Sequence, residues 1–290
     1  MITMRDCGSL QRVLSVLLLV LAEPLGAQLA AARAVARAIP GDLPTSIAYV
    51  VLETDATPLS DLVEHAAKTT VSNPTPVFQV RFPRGWLMVD AGMDRETARR
   101  AGDKGAFDDQ AYASAVAALR RANLIVITHE HYDHCATVVH SAVADELAPH
   151  TMLTRQQVET LTRTPRLITT LDSTKVSRYI VVDYDRALPI APGVVLIKAP
   201  GHTPGSQVVY VKLASGREVI LVGDVAWNRL GIETETQKPD SIREDRAPIA
   251  AELEWLHAAE KAGVAVVVSH DGDQLAMFAK SGVLQQGLAQ

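Results

Sequence analysis

Three histidines and one aspartate lie within six residues of one another in the segment THEHYDH, which covers residues 128–134. The candidate metal ligands in this segment are His129, His131, Asp133 and His134. Imidazole nitrogens and carboxylate oxygens are donors that zinc and other first-row divalent metals accept in proteins. Because the donors directly follow the short apolar run 124–127, the sequence predicts a metal site at the end of a buried strand.

Three further donors each follow another predicted apolar strand in the second half of the chain. They are His202 in the sequence GHTPGS, Asp224 in the sequence GD and His270 in the sequence SHD. Because the carboxyl ends of neighbouring strands meet at one edge of a sheet, we expect all the donors to converge there. Five histidines and two aspartates are too many for one tetrahedral zinc, and they fit two metals that share a carboxylate and a hydroxide.

The motifs HEHYDH, GHTPGS, GD and SHD, in this order and spacing, resemble those of the metallo-β-lactamase superfamily over roughly residues 46–280. The resemblance implies an α/β fold, a four-layer αββα sandwich with two zinc ions at one edge. It also implies the ligand sets, with Asp224 as the bridge: His129, His131 and His202 for one zinc, and Asp133, His134 and His270 for the other. Asp90 follows the predicted strand 86–89 and matches the family's aspartate ahead of the metal motif, where a carboxylate would hold a ligand imidazole.

The resemblance implies hydrolysis by a metal-bridging hydroxide, with Asp133 also passing a proton to the leaving group. N-acyl homoserine lactonases are similar to this chain in keeping all seven ligands, so a lactone or related cyclic ester is the expected substrate. Many of those enzymes carry a tyrosine three residues after the bridging aspartate, where this chain has Trp227. Indole donates one hydrogen bond but does not titrate. Either Tyr132 or a tyrosine on another loop replaces the missing hydroxyl, or Trp227 is an apolar wall for an acyl chain.

Other functions would use the same set of ligands. β-Lactamases of the third metallo subclass share GHTPGS and a secretory leader, although they usually lack the bridging aspartate. A phosphodiesterase would use the same pair of metals on a phosphoryl group. A protein that binds metal without turnover, as a sensor or store, would need the same ligands. Manganese, iron or cobalt would also suit these donors in place of zinc.

Alternating strand and helix patterns must position these donors. Apolar runs predict strands at 47–53, 76–82, 86–89, 124–127, 194–198, 207–213, 218–222 and 264–268, and helical spacing predicts helices at 110–121, 136–147, 155–161 and 246–262. Strands in runs, with helices between and after them, are typical of a layered α/β sandwich. Glu130 is expected to be a helix cap or a surface charge, and the polar segment 228–246 a surface loop near the site.

Composition narrows the class of protein. The 290 residues are 48% hydrophobic and 21% charged, as in an ordinary globular chain. A net charge of -5 and an aromatic content of 4% argue against nucleic-acid binding, so a small-molecule substrate is expected. Cys7 and Cys135 are the two cysteines, too few for a thiolate zinc cluster.

Residues 1–27 have the pattern of a secretory signal peptide. Arg5 and Arg12 precede an uncharged apolar run at 13–22, and the small residue Ala27 suits cleavage. Ten apolar residues are too few to span a hydrocarbon core of about 30 Å, so no stable membrane insertion is expected. The sequence therefore predicts a secreted or periplasmic protein with one mature hydrolase domain at 28–290, and it does not indicate the oligomeric state.

Overall fold

The computed structural model describes residues 25–164 and 168–290. The helices are α1 Leu25–Val35, α2 Leu59–Leu62, α3 Arg95–Ala101, α4 Asp109–Arg120, α5 Tyr132–Val139, α6 Ala144–Leu147, α7 Arg155–Arg163, α8 Arg229–Glu233, α9 Arg246–Lys261 and α10 Gly272–Lys280. The strands are β1 Ser46–Pro58, β2 Thr70–Arg81, β3 Trp86–Val89, β4 Ala106–Phe107, β5 Leu124–Val126, β6 Thr151–Thr154, β7 Ile180–Val182, β8 Ala187–Ala191, β9 Val194–Lys198, β10 Gln207–Lys212, β11 Glu218–Leu221, β12 Ala265–Val267 and β13 Gln285–Gln286.

The strands of the described residues form two sheets. The larger sheet has the order β13-β1-β2-β3-β5-β6-β7, with β4 beside β1, and the smaller sheet has the order β12-β11-β10-β9-β8. Strands β3, β5, β6 and β7 run parallel, whereas β8 to β11 are antiparallel and β12 joins them in parallel. The parallel strands bring their carboxyl ends to one edge of the molecule.

Side-chain alternation along the strands explains why the two sheets stack. In β9, Val194 and Leu196 point into a core shared with the larger sheet, where Val89 and Val126 face them. The intervening Val195 points the other way, toward the helices that cover the smaller sheet. Because successive strand residues face opposite sides, a strand of continuous apolar residues is buried on both faces.

Helices cover both outer faces of the paired sheets. Leu119 of α4 and Val138 of α5 pack against the larger sheet, and Leu29 of α1 and Leu253 of α9 pack against the smaller sheet. The layers therefore follow the order helix, sheet, sheet, helix. The predicted αββα sandwich is confirmed.

Most predicted elements are present, but the helix predicted at 136–147 is wrong. The structure has two helices there: α5 begins earlier, at Tyr132, and ends at Val139, and α6 begins at Ala144. The Ser141 hydroxyl donates to a carbonyl in α5 and accepts from the N–H of Val143, so the side chain replaces helical hydrogen bonds at the break. Asp133 and His134 consequently lie in the first turn of α5.

The N-terminal prediction is only partly covered by the structure. Residues 1–24 of the predicted signal peptide lie outside the described residues, and residues 25–27 form the start of α1. Within the two described ranges, no helix combines the length and apolarity needed to cross a bilayer.

Candidate metal centre

The seven predicted donors lie together beyond the carboxyl ends of strands β5, β9, β11 and β12. They form two groups that share Asp224, and within each group the donor atoms lie within 4.8 Å of one another. The groups are His129, His131, His202 and Asp224, called here the three-histidine half, and Asp133, His134, Asp224 and His270, called here the carboxylate half. Four donors come from the segment 129–134 and three from positions 202, 224 and 270, so the sandwich is needed to bring the whole set together.

The three-histidine half presents three ring nitrogens to one point. His131 Nδ1 lies 3.1 Å from His129 Nε2 and 3.0 Å from His202 Nε2. Asp224 Oδ2 lies 3.6 Å from His129 Nε2 and 3.5 Å from His202 Nε2. Zinc bonds of about 2.0–2.1 Å in a tetrahedron require donor separations of about 3.3 Å, which these distances approach.

The carboxylate half is arranged around the other oxygen of the same aspartate. Asp224 Oδ1 lies 3.2 Å from His134 Nε2 and 3.1 Å from His270 Nε2. Asp133 Oδ2 lies 3.4 Å and 3.7 Å from the same two nitrogens. His134 Nε2 and Asp224 Oδ1 are buried without a hydrogen-bond partner. Because such unpaired polar atoms cost about 1–3 kcal/mol each, the donor set fits a bound cation.

Asp224 can reach both halves because the chain before it comes unusually close to β5. Gly223 has φ of +54°, and a Cβ added there would lie 2.8 Å from the side chain of Thr128. Glycine is the residue that tolerates both this backbone conformation and this approach. Trp227 Nε1 donates a hydrogen bond to Asp224 Oδ2 over 2.7 Å, which helps to orient the carboxylate.

Each imidazole of the carboxylate half is oriented by a group on a strand or directly after one. His134 Nδ1 lies 2.9 Å from Asp90 Oδ2, and Asp90 Oδ1 accepts from the backbone N–H of Thr128. Asp90 follows β3 and has φ of +62°, a left-handed conformation that aspartate tolerates better than most residues. His270 Nδ1 lies 2.8 Å from the carbonyl oxygen of Pro74 in β2. A donor contact at Nδ1 leaves Nε2 free to face the centre.

The expectation that Glu130 is a helix cap or surface charge is wrong. Its side chain points away from those of His129 and His131, enters a packed interface and is buried. The carboxylate accepts from the Thr203 hydroxyl over 2.7 Å and from the Gly205 N–H over 3.3 Å. A Cβ on Gly205 would lie 2.5 Å from this carboxylate. Glu130 thus holds segment 129–134 against the segment GHTPGS, and the hydroxyl-rich composition of that motif was the available signal.

The expectation of a surface loop at 228–246 is wrong in two respects. The segment contains helix α8, and it carries two buried charged side chains, Lys238 and Glu244. The side chains of Lys238 and Glu244 are 2% and 0% exposed, and their charged groups are 2.9 Å apart. Glu244 Oε2 also lies 3.1 Å from His202 Nδ1. Nothing local in this polar sequence marks these two residues, since their partners are distant along the chain.

Burial and nearby charges set the two halves apart electrostatically. Burial holds the pKa of His129 well below its usual range and lowers that of His202 to about 4, so both rings are neutral at pH 7, the form in which imidazole binds a metal. Burial also opposes the charged forms of His134 and His270, but carboxylates led by Asp224 outweigh it and raise the pKa of both rings. The carboxylate half therefore attracts positive charge, which a divalent cation supplies.

A cavity of about 420 Å³ opens beside the carboxylate half. Besides Asp133, Asp224, His131 and His270, its lining consists of Thr57, Asp61, Leu62, Asn73, Tyr132 and Trp227. The Tyr132 hydroxyl donates to Asp103 over 2.9 Å, so it is engaged outside the two ligand groups. Trp227 both lines the cavity and binds Asp224.

Comparison with known proteins agrees with this geometry. The family profile of the metallo-beta-lactamase superfamily matches residues 73–270, which is more than half of the chain. The chain therefore belongs to the metallo-β-lactamase superfamily. No curated protein sequence is significantly similar to it.

Solved structures with the same fold include several hydrolases. A quorum-quenching N-acyl homoserine lactone lactonase is 15% identical, with a TM-score of 0.64 over 81% of this chain and 95% of that chain. An N-acyl homoserine lactone hydrolase with its product N-hexanoyl-L-homoserine at the catalytic metal centre is 14% identical, with a TM-score of 0.64 over 81% and 96%. A probable metal-dependent hydrolase from Staphylococcus aureus is 13% identical, with a TM-score of 0.63 over 80% and 91%. At these identities the likeness shows the shared fold.

Proposed function

We propose that this protein is a metal-dependent hydrolase with two zinc ions and that it opens a lactone or a related cyclic ester. The observation that carries the proposal is the shared carboxylate: Asp224 directs Oδ2 to one ligand group and Oδ1 to the other. Superfamily membership and the hydrolases among the similar structures support the reaction class.

The residues that would hold the metals are those of the two halves. His129, His131 and His202 would bind one zinc, Asp133, His134 and His270 the other, and Asp224 both. When bound, such a metal pair supplies a water nucleophile at neutral pH and polarises the carbonyl under attack. Asp90 would keep His134 in the tautomer that ligation needs.

Asp133 is the ligand best placed to exchange a proton with a substrate. Its side chain is 18% exposed, against 3% for Asp224, and it lines the cavity. Burial acts to raise the pKa of Asp133, but His134 and His270 outweigh it and keep the pKa below its usual range. The carboxylate is therefore ionised at neutral pH and can accept a proton and deliver it to the leaving alkoxide.

The cavity is suited to a small ring with a modest substituent. Its 420 Å³ volume lies in the range of small-molecule sites, and its walls combine Leu62 and Trp227 with the polar Thr57 and Asn73. The indole N–H of Trp227 is already bound to Asp224, so Trp227 acts on the substrate as a wall and not as a carbonyl donor. Tyr132 is tied to Asp103 and does not supply that hydroxyl either.

The test is the metal-dependent ring opening of acyl homoserine lactones with short to long acyl chains. We expect kcat/KM of about 10⁴ M⁻¹s⁻¹ or more for the zinc-loaded protein, and none after chelator treatment. Asp133→Asn is the matched control, since it should abolish turnover while most of the metal stays bound.

Two bound zincs without lactone turnover would contradict the substrate class. Activity on β-lactams or on bis-p-nitrophenyl phosphate would then identify the β-lactamase or the phosphodiesterase alternative. No turnover on any of them would favour a metal-binding protein.

Secretion or a periplasmic location is also part of the proposal and rests on the sequence of residues 1–27. N-terminal sequencing of exported protein should find a start at Gln28. Export of a chain that still begins at Met1 would contradict the cleaved signal peptide, and retention in the cytoplasm would contradict secretion.

A further inference from the structure

We infer that Glu244 and Lys238 are positioning residues that orient His202 and the bridging Asp224 in the metal centre. The inference rests on the proposed metal centre but not on the proposed substrate. Neither residue touches the reacting groups directly, and both lie in a polar segment whose sequence gives no sign of a buried role.

The first contact joins Glu244 to a ligand imidazole. Its carboxylate is fully buried, and Oε2 lies 3.1 Å from His202 Nδ1. The opposite ring nitrogen, His202 Nε2, lies 3.0 Å from His131 Nδ1 at the centre of the three-histidine half. A carboxylate behind a ligand histidine fixes the proton on Nδ1 and aims the Nε2 lone pair at the metal.

The second set of contacts joins Lys238 to the bridging aspartate. Its ammonium donates to the carbonyls of Asp224 over 2.7 Å and Val225 over 3.0 Å, and lies 2.9 Å from Glu244 Oε2. These three acceptors match the three N–H donors of an ammonium. One buried cation therefore connects the main chain of the bridging ligand with the carboxylate behind His202.

The third observation is that this network contacts a ligand imidazole of the three-histidine half, His202, but neither His134 nor His270 of the carboxylate half. Lys238 Nζ also lies 5.4 Å from the Trp227 ring centroid, and Trp227 in turn binds Asp224. His134 and His270 instead have their Nδ1 atoms against Asp90 and the main chain of β2. Loss of the pair should consequently weaken the metal of the three-histidine half far more than the other metal.

A matched pair of double variants separates positioning from folding. Lys238→Met with Glu244→Met removes both charges and the acceptor behind His202, whereas Lys238→Met with Glu244→Gln removes both charges but keeps a neutral acceptor. Neither leaves an unpaired buried charge, and apolar replacements of buried ion pairs are often tolerated. Glu235→Gln is the control, since Glu235 makes a carboxylate–histidine contact with His257 at 2.7 Å and neither residue belongs to a ligand group.

Zinc affinities of the full chain would be measured by competition with a chromophoric chelator, and the visible spectrum of the cobalt-loaded protein would report which half changes. We expect Lys238→Met/Glu244→Met to bind one of the two zincs about 10–100-fold more weakly. Lys238→Met/Glu244→Gln should lose less zinc affinity, and Glu235→Gln should keep the affinity of the unaltered protein. Unchanged zinc affinities in Lys238→Met/Glu244→Met, or equal losses of affinity in both double variants, would overturn the inference. If the unaltered protein bound no metal, the proposed function itself would fall, and the inference with it.

Discussion

The two halves of the metal centre are supported by different parts of the molecule. In the carboxylate half, His134 and His270 are held by Asp90 at the end of β3 and by the main chain of β2. In the three-histidine half, His202 is held by Glu244, which belongs to no helix or strand. The carboxylate half thus depends on the larger sheet, and the three-histidine half depends on side chains that connect loops. Four predictions test this difference, beginning with the largest expected effect.

Asp224→Asn should weaken both halves, because Asp224 is the ligand that they share. We expect zinc affinity at each half to fall by more than about 100-fold, the upper end of the loss for changing an outer partner of a ligand. Isothermal titration with zinc would measure both affinities. Asp133→Asn serves as the comparison, since it should weaken the carboxylate half alone. An effect of Asp224→Asn on only one half would contradict the bridge.

Asp90→Ala should act on the carboxylate half and on the fold together. It leaves the buried Thr128 N–H and the His134 ring without their acceptor, at a cost of about 1–3 kcal/mol for each group. Chemical denaturation would measure the loss of unfolding free energy, and zinc titration the weaker site. Asp94→Ala is the control, because it removes a helix cap worth about 1 kcal/mol and should leave the zinc affinities unchanged.

Glu130→Gln should loosen the three-histidine half. The amide oxygen still accepts one hydrogen bond and the NH₂ group can donate to the Thr203 hydroxyl, but Gly205 offers only an N–H, so one amide N–H has no acceptor in this pair, which costs about 1–3 kcal/mol. We expect a lower melting temperature and a weaker zinc at His202. Glu146→Gln, at an exposed pair with Arg120, should change stability by less than about 1 kcal/mol. Equal effects of the two substitutions would show that Glu130 has no special role.

Trp227→Phe should have the smallest effect. It keeps an aromatic wall but removes the N–H that donates to Asp224 Oδ2, a hydrogen bond worth about 1 kcal/mol. Zinc affinity should fall by less than about tenfold, and kcat/KM should follow it. A large loss of kcat with unchanged zinc affinity would instead mean that the indole acts on the substrate.

The same contrast explains what the sequence could and could not predict. The seven donors and Asp90 were predictable because the segment 129–134 and positions 90, 202, 224 and 270 each follow a predicted apolar strand, and the family resemblance implied their roles. Helix α5 was misplaced because the hydroxyl of Ser141 ends it, a side-chain effect that apolar spacing does not reveal.

The supports of the three-histidine half were not predictable. Glu130 meets partners about 75 residues away along the chain, and Glu244 lies 42 residues from His202. A charged residue in a polar segment is usually solvated, and only the packed fold shows that these are buried. Burial of a charge is decided by tertiary contacts, for which a single sequence has no local signal.

Anomalous diffraction from zinc-loaded crystals would test directly whether two metals lie on either side of Asp224, as proposed. We expect two zinc peaks about 3.5–4 Å apart, one among His129, His131 and His202 and one among Asp133, His134 and His270. A single peak at full zinc loading, or two peaks without Asp224 between them, would rule out the proposed pair of metals.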